Sequence, residues 1–488
     1  ISELTIGPAG ENLVRIAKVF NDKARAGGKN GLGAVMGSKN LKAIVVRGTG
    51  SIKIANPEEF YMTAKHAYEK LRDSTPLQRS SELGTIRLIR LRTEARSLTT
   101  RNAQSGYFEG WEKVTSEAFG SQYAVRRRGC FGCPAPCTRT FEVKEGKYST
   151  HGYANEYGTT YPFTSKIGSD NLAAALKIGT MCDQLGLDTH ATGGTISFAM
   201  EAWQRGLLSA KDTDGIDLSW GNVDSVIELV PKIAYREGFG NILAEGSHGA
   251  SKQIKGSEIC LVEVKGAECS SFYPGPGTSV VRALAFATAP IGGSLHRGAS
   301  LHRTYAGGNV PEAADYMLEI PILVKAMGEE MAKRASKRGS YDGGGIVLAI
   351  ENDCNAAVNC LTCIMLGGLS PAMLGMDELA RLVSTLTGVE IDGDGLVKVG
   401  ERIFNIEKVF NLREGLRRKD DTLPERFFVE KTMPEGTSGV NRAQFEDMLD
   451  EYYKFRGWDH EGFPTEEKLA ELNLSDIAEQ LRGLRVTG

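Results

Sequence analysis

No run of eighteen apolar residues occurs in this 488-residue sequence, so no segment reads as a membrane-spanning helix. Charge of one sign is lacking too. The 58 lysines and arginines face 61 aspartates and glutamates, which removes the basic excess that nucleic-acid binding calls for. Low-complexity segments are missing, and nothing repeats at solenoid periods. Cysteine is scarce, with nine in the chain, and a disulfide scaffold would be shorter and denser. A reducing compartment, the cytoplasm, is therefore expected. The chain begins at Ile1 without methionine, inside what reads as a folded segment. That is expected of a fragment whose start, with any targeting signal, has been lost.

What is present in excess is glycine. Its 58 residues are about 12% of the chain against a usual 7% or so, which points to tight turns and close backbone approaches to a ligand. The length is too great for one core, so two or three domains are expected. Residues 1–53 are glycine-rich and end in LKAIVVRG, where Ala43 to Val46 reads as a buried strand. Residues 54–262 and 263–488 read as mainly helical, the last with a charged tail. In one clear helix, Ser169 or Asp170 can cap the start, Leu172, Leu176 and Leu185 keep helical spacing, and Gly186 can close the end. The run Arg417 to Asp421, RRKDD, reads as a solvated face.

The cysteines cluster. RRRGCFGCPAPCTR, Arg126 to Arg139, holds Cys130, Cys133 and Cys137 on a loop that Gly132 and Pro134 keep from becoming a helix. A cubane iron–sulfur cluster needs four thiolates, and the later group Cys354, Cys360 and Cys363 can supply the fourth. Zinc also takes four cysteines, and buried inert thiols are a third reading; spacing leaves all three open. Radical enzymes place the longer gap first, the reverse of this order. In NDKARAGGKNGLGAVMGSKNLKAI, residues 21–44, glycines let backbone N–H groups approach an anion, and Arg25 and Lys29 add charge for a phosphate. The Walker order is missing. DQLGLD, Asp183 to Asp188, puts two carboxylates on a helix-to-loop turn, where they can accept from the N–H edge of a heterocycle or simply cap the turn.

The ordered set RAGGK, CFGCPAPC and DQLGLD resembles the aldehyde:ferredoxin oxidoreductase family, enzymes with tungsten or molybdenum held by two pterin dithiolenes. IGPAGEN, GLGAVMGSKNLKAI, ALAFAT at 283–288 and YYKFRGWDHEGFPT at 452–465 extend the likeness from end to end. The resemblance implies a multidomain α+β fold: the end of a β-rich pterin-binding base domain (1–53), then two mainly helical domains (54–262 and 263–488). It implies that Arg25, Ala26, Gly28 and Lys29 hold pterin phosphate and ring atoms, and that Asp183, Leu187 and Asp188 bind pterin from the second domain. Cys130, Cys133 and Cys137 would ligate a [4Fe–4S] cluster. The family's fourth ligand ends a D-x-x-G-L-C motif; here the sequence is NCLTC, and Cys363 is the choice, with Cys360 and Cys354 as competitors. Where the family has a glutamate for an inter-subunit iron this chain has Lys177, so that iron is not expected.

For the chemistry, the resemblance points to Glu156 in YANEYGT as general base or water-orienting group. It points to His296 in GGSLHRG, or else His302, at the substrate oxygen. Tyr153, Tyr157 and Tyr161 would give an aromatic wall, with Gly152 and Gly158 leaving room for substrate. The implied activity is oxidation of a small aldehyde to a carboxylic acid at a bis-pterin tungsten or molybdenum centre (tungstopterin or molybdopterin), with electrons passed through the cluster to ferredoxin or another iron–sulfur acceptor. A homodimer fits the same picture. The alternative is a non-catalytic iron–sulfur electron-transfer subunit that kept the cluster and lost the pterin.

Overall fold

The computed structural model describes residues 1–22, 25–271, 273, 279–294, 316–337, 339–370, 372–429 and 439–486. The first layer is a small antiparallel sheet of β1 (Ser2–Ile6), β2 (Val19–Asn21), β3 (Arg25–Gly27) and β4 (Ala43–Val46) in the order β3-β2-β1-β4. The strand expected at Ala43–Val46 is there, but it is not buried: Ile44, Val45 and Val46 are 44%, 63% and 59% exposed. The apolar run correctly signalled a strand, yet β4 is an edge paired only with β1. Helix α1 (Leu32–Ser38) lies between β3 and β4.

After α2 (Pro57–Asp73) and α3 (Thr75–Leu83) comes a second sheet inside the region expected to be helical. It has β5 (Ala124–Arg128), β6 (Thr138–Val143) and β7 (Thr150–Asn155), in that order and antiparallel. Its role is positional, because the loop joining β5 to β6 is the one that carries the three clustered cysteines.

Three apolar helices build the adjacent core: α4 (Leu172–Leu185), α5 (Thr189–Gln204) and α6 (Val223–Tyr235). The cap of α4 is Asn171, whose side chain accepts from the Ala174 N–H at 3.0 Å. Neither expected cap is available, since Ser169 Oγ accepts from the Asn171 N–H and Asp170 pairs with Lys113 at 2.6 Å. The other end is as expected: Gly186 stops the helix with φ 77°. A short hairpin, β8 (Glu263–Val264) and β9 (Ala267–Glu268), leads to α7 (Val281–Thr288), which is buried along its length.

The remaining core forms where α8 (Gly344–Leu361) packs against α9 (Gly393–Arg413) and α10 (Arg442–Phe455). Arg456, 1% exposed, pairs with Asp353 on α8 at 2.6 Å and lies among Phe404, Tyr452 and Trp458. The RRKDD run is not a solvated face. It ends in Asp421, 3% exposed, which takes Lys265 at 2.7 Å, Lys408 at 2.9 Å and the Tyr453 hydroxyl. Those partners lie at least thirteen positions away in sequence, so a reading by charge run could not see them. Among the described residues no helix is long and apolar enough to cross a membrane.

Candidate functional site

The thiol loop is pinned from outside. Arg139, buried at the start of β6, donates to the carbonyls of Ser81 and Glu82 at 2.6 Å each and to that of Pro136 at 3.2 Å. The Cys137 carbonyl accepts from the Thr85 N–H at 3.2 Å. Within the loop the Ala135 N–H donates to Cys133 Sγ at 3.4 Å. Cys130 is exposed, whereas Cys133 and Cys137 are half-buried. All nine cysteines are free thiols.

Cys363 follows the C-terminal end of α8, and the Met365 N–H donates to its sulfur at 3.5 Å. The fold brings it into electrostatic contact with Cys130, Cys133 and Cys137. Cys363 is exposed at its surface, yet the protein packed around it takes water from its sulfur and, with Cys130 and Cys133, pushes the thiol up. Burial and the Glu156 charge push Cys137 up to about 11, with Arg25 opposing. Cys354 instead points into the core of α8, fully buried, and Cys360 is exposed on the last turn of that helix. Among the described residues no three His, Cys, Asp or Glu side chains converge as ligands of one metal ion would. Four thiols around a cubane need not converge, since each binds a different iron. In chemistry, cysteine thiols are the donors such a cluster takes.

Arg25, at the start of β3, ties this group to the first sheet. Its guanidinium forms an ion pair with Glu156. Burial works against its charge, yet Glu156, Cys130 and Cys137 raise its pKa well above the ordinary arginine value. Glu156 is half-buried at the cap of the single-turn helix Tyr157–Thr160, where its N–H donates to Thr159 Oγ1 at 2.9 Å.

The RAGGK and DQLGLD stretches meet face to face. A Cβ placed on Gly28 would lie 3.1 Å from Asp188 Oδ1, so no side chain separates that backbone from the carboxylate. The turn is strapped to the chain entering β2: the Lys18 N–H donates to Gly186 O at 2.8 Å, the Asp188 N–H to Ile16 O at 2.9 Å, and Ala17 bridges Leu187. Buried Lys18 also ion-pairs with Asp183. This close approach depends on two glycines. A Cβ on Gly7 would sit 2.5 Å from Leu185 O, and one on Gly186 would sit 2.7 Å from the Gly7 nitrogen.

Both aspartates are thus engaged. Asp188 is buried and caps α5 through the N–H groups of His190 and Ala191. Leu187 is fully buried in the helical core, and Ala26 is exposed on β3. Lys29 donates to the carbonyls of Glu268 and Gly293, at 2.7 and 3.1 Å. A cleft of about 710 Å³ opens beside the strap, lined by Lys29, Asn30, Asp188, His248, Lys252 and Glu268 among others. A flat, amide-edged heterocycle with an anionic tail suits this combination of bare glycine backbone, cation and carboxylate.

Several local expectations look different in three dimensions. Tyr157 and Tyr161 stack at 4.8 Å and are buried, with the Tyr161 hydroxyl 3.1 Å from His190 Nδ1. Tyr153 stands apart, 46% exposed beneath the Arg128 guanidinium. The space beside Gly152 is filled by the Phe141 ring and that beside Gly158 by His190. His296 and His302 lie outside the described residues. Sequence reading missed Lys18, Lys166 and Glu268. Lys166, 1% exposed, donates to Cys269 O at 3.2 Å, and burial pushes its pKa down to about 8.

Residues 62–474 match the family "Aldehyde ferredoxin oxidoreductase, domains 2 & 3", and residues 1–48 match that family's N-terminal domain. A tungsten-containing aldehyde ferredoxin oxidoreductase of Pyrococcus horikoshii is 34% identical over 482 residues, 97% of this chain and 73% of the relative. The WOR-like subunit of an aliphatic sulfonate oxidoreductase of Pyrococcus furiosus is 26% identical over 493 residues, 98% of this chain and 71% of the relative. Among solved structures, the active site complex BamBC of benzoyl coenzyme A reductase superposes with a TM-score of 0.77 at 22% identity, covering 99% of this chain and 75% of that one. That last likeness is one of fold.

Proposed function

Because the chain belongs to the aldehyde ferredoxin oxidoreductase family, we propose that it is a tungsten- or molybdenum-pterin oxidoreductase converting an aldehyde to a carboxylic acid. Water supplies the added oxygen, so each turnover releases two protons and two electrons. A [4Fe–4S] cluster would supply one-electron transfer to ferredoxin or another iron–sulfur acceptor. The observation that carries this reading is the position of Arg25, which ion-pairs with Glu156, feels the charges of Cys130 and Cys137, and opens the RAGGK stretch that faces Asp188.

When bound, the pterin-held metal supplies two-electron exchange with substrate. The chain supplies the rest. Cys130, Cys133, Cys137 and Cys363 hold the cluster. Arg25, Ala26, Gly28 and Lys29 would hold pterin phosphate and ring atoms, and Asp183, Leu187 and Asp188 would bind pterin from the second domain. Leu187 and Asp188 have little free surface, so their part is to set the shape of the turn. In its pair with Arg25, Glu156 offers acceptor oxygens with restricted orientation, which suits holding a water and accepting its proton. His296 or His302 is assigned to the substrate oxygen.

The test is anaerobic, aldehyde-dependent reduction of a viologen dye, then of ferredoxin, over a panel of aliphatic and aromatic aldehydes. Protein carrying tungsten or molybdenum and a full cluster should reduce both acceptors. Fully loaded protein that oxidises none of the aldehydes would remove the substrate assignment.

A further inference from the structure

The strand that leads into the thiol loop has a surface the site does not use. β5 is a sheet edge, paired only with β6, and Val125, Arg126 and Arg127 on it are exposed. Among the described residues, none of Arg126, Arg127 and Arg128 is paired with a carboxylate; Arg128 rests on the Tyr153 ring at 5.7 Å. Beyond them come Cys130, exposed, and Phe131, whose ring lies wholly in solvent. On a chain of net charge −3 this is a local concentration of positive charge around an apolar tip.

We propose that Val125 to Phe131 is the docking face for an acidic one-electron carrier protein, an inference that rests on the electron-passing reading above. Three arguments meet here. Electron transfer weakens steeply with distance, so a carrier must dock close to the cluster, and this face runs directly into the loop that carries Cys130, one of its expected ligands. Unpaired arginines steer an anionic partner and raise its encounter rate while repelling basic proteins. A single aromatic tip with a charged rim makes a small contact, of the size used by transient redox encounters, which must release after each electron. Arginines beside an aromatic ring can also bind single-stranded nucleic acid. Three cations on one short edge of an acidic chain are few for that task, and their place against the thiols favours the carrier.

The experiment measures binding of a purified acidic [4Fe–4S] ferredoxin to the full chain at low and moderate salt. The variants are Arg126→Glu with Arg127→Glu, Arg127→Gln, and Phe131→Ser, with Lys211→Glu plus Lys419→Glu, both exposed and outside β5 and its loop, as a control of equal charge change. Wild-type binding should weaken with salt. The double reversal should weaken it by about tenfold or more, Arg127→Gln and Phe131→Ser by several-fold, and the control not at all, with melting temperatures unchanged. Equal binding by wild type and double reversal, equal weakening in the control, no ferredoxin binding by wild type, or tighter wild-type binding to a single-stranded oligonucleotide would each overturn the proposal. Viologen-coupled turnover separates this from the functional reading, since a small dye needs no docking face. It should be unchanged in the double reversal. A wild type that reduces no dye contradicts the functional reading, while the binding arm still reports on the face.

Discussion

Gly7 and Gly186 hold the DQLGLD turn against the first sheet, and adding one methyl to either should pry the two apart. Gly7 has φ −89°, which any residue adopts, so Gly7→Ala adds only crowding against Leu185. Overpacking of this kind costs about 1–3 kcal/mol. Gly186 has φ 77°, and an alanine there also carries the left-handed penalty of about 1–2 kcal/mol, for a total of about 2–5 kcal/mol. The bonds that would open are those from the Lys18 and Asp188 N–H groups to Gly186 O and Ile16 O. Hydrogen exchange at these two amides reads the local opening directly. With tenfold per 1.4 kcal/mol, exchange should speed by roughly 5- to 150-fold in Gly7→Ala and by a larger factor, up to a few thousandfold, in Gly186→Ala. Both methyls compete for one gap, so the double variant should not show the sum of the two costs. Exchange at wild-type rates in both single variants would refute the close approach, and with it the strap that faces the RAGGK loop.

Serine in place of Cys130, Cys133, Cys137 or Cys363 should remove most iron and visible absorbance, while Cys354→Ser and Cys360→Ser should retain both; the reverse pattern moves the fourth ligand along α8. Glu156→Gln should lower turnover by about two orders of magnitude or more with metal and cluster content unchanged, and normal turnover in that variant would end its catalytic assignment. Burial opposes the charge on Asp421, yet Lys265 and Lys408 hold its carboxyl well below the usual carboxylate range. The unfolded chain therefore binds this proton first as pH falls, so the stabilisation is complete above about pH 4 and is lost below it. Melting temperatures against pH should fall less steeply on the acid side for Asp421→Asn, and parallel curves would show that the carboxylate carries no such linkage.

The family and the α+β class were legible because their signals are local: RAGGK, CFGCPAPC and DQLGLD each occupy a few consecutive residues. So was the end of α4, since only a left-handed turn calls for Gly186 there. The sheet β5–β7 was not, because AVRRR and THGYAN lack the alternation of a half-buried strand. Nor was Asp421, whose charge is met by Lys265, remote in sequence but in contact with it. Gly152 and Gly158 were legible as empty positions, but not what fills them: Phe141 and His190 come from other elements. Spacing also left zinc open. Cys360 and Cys363 form a second Cys-x2-Cys pair, a common zinc spacing; both are exposed, and what separates them is that Cys363 couples electrostatically to the other thiols.

The central claim is that the thiols, the RAGGK loop and the DQLGLD turn make one redox cofactor site. Elemental analysis of anaerobically purified protein, from cells supplied with both tungstate and molybdate, tests it most directly, with electron paramagnetic resonance on the reduced sample. The account predicts tungsten or molybdenum together with pterin phosphorus, about four irons with matching sulfide, and a reduced-cluster signal that Cys363→Ser abolishes. Zinc in place of iron, with neither tungsten nor molybdenum, would contradict it.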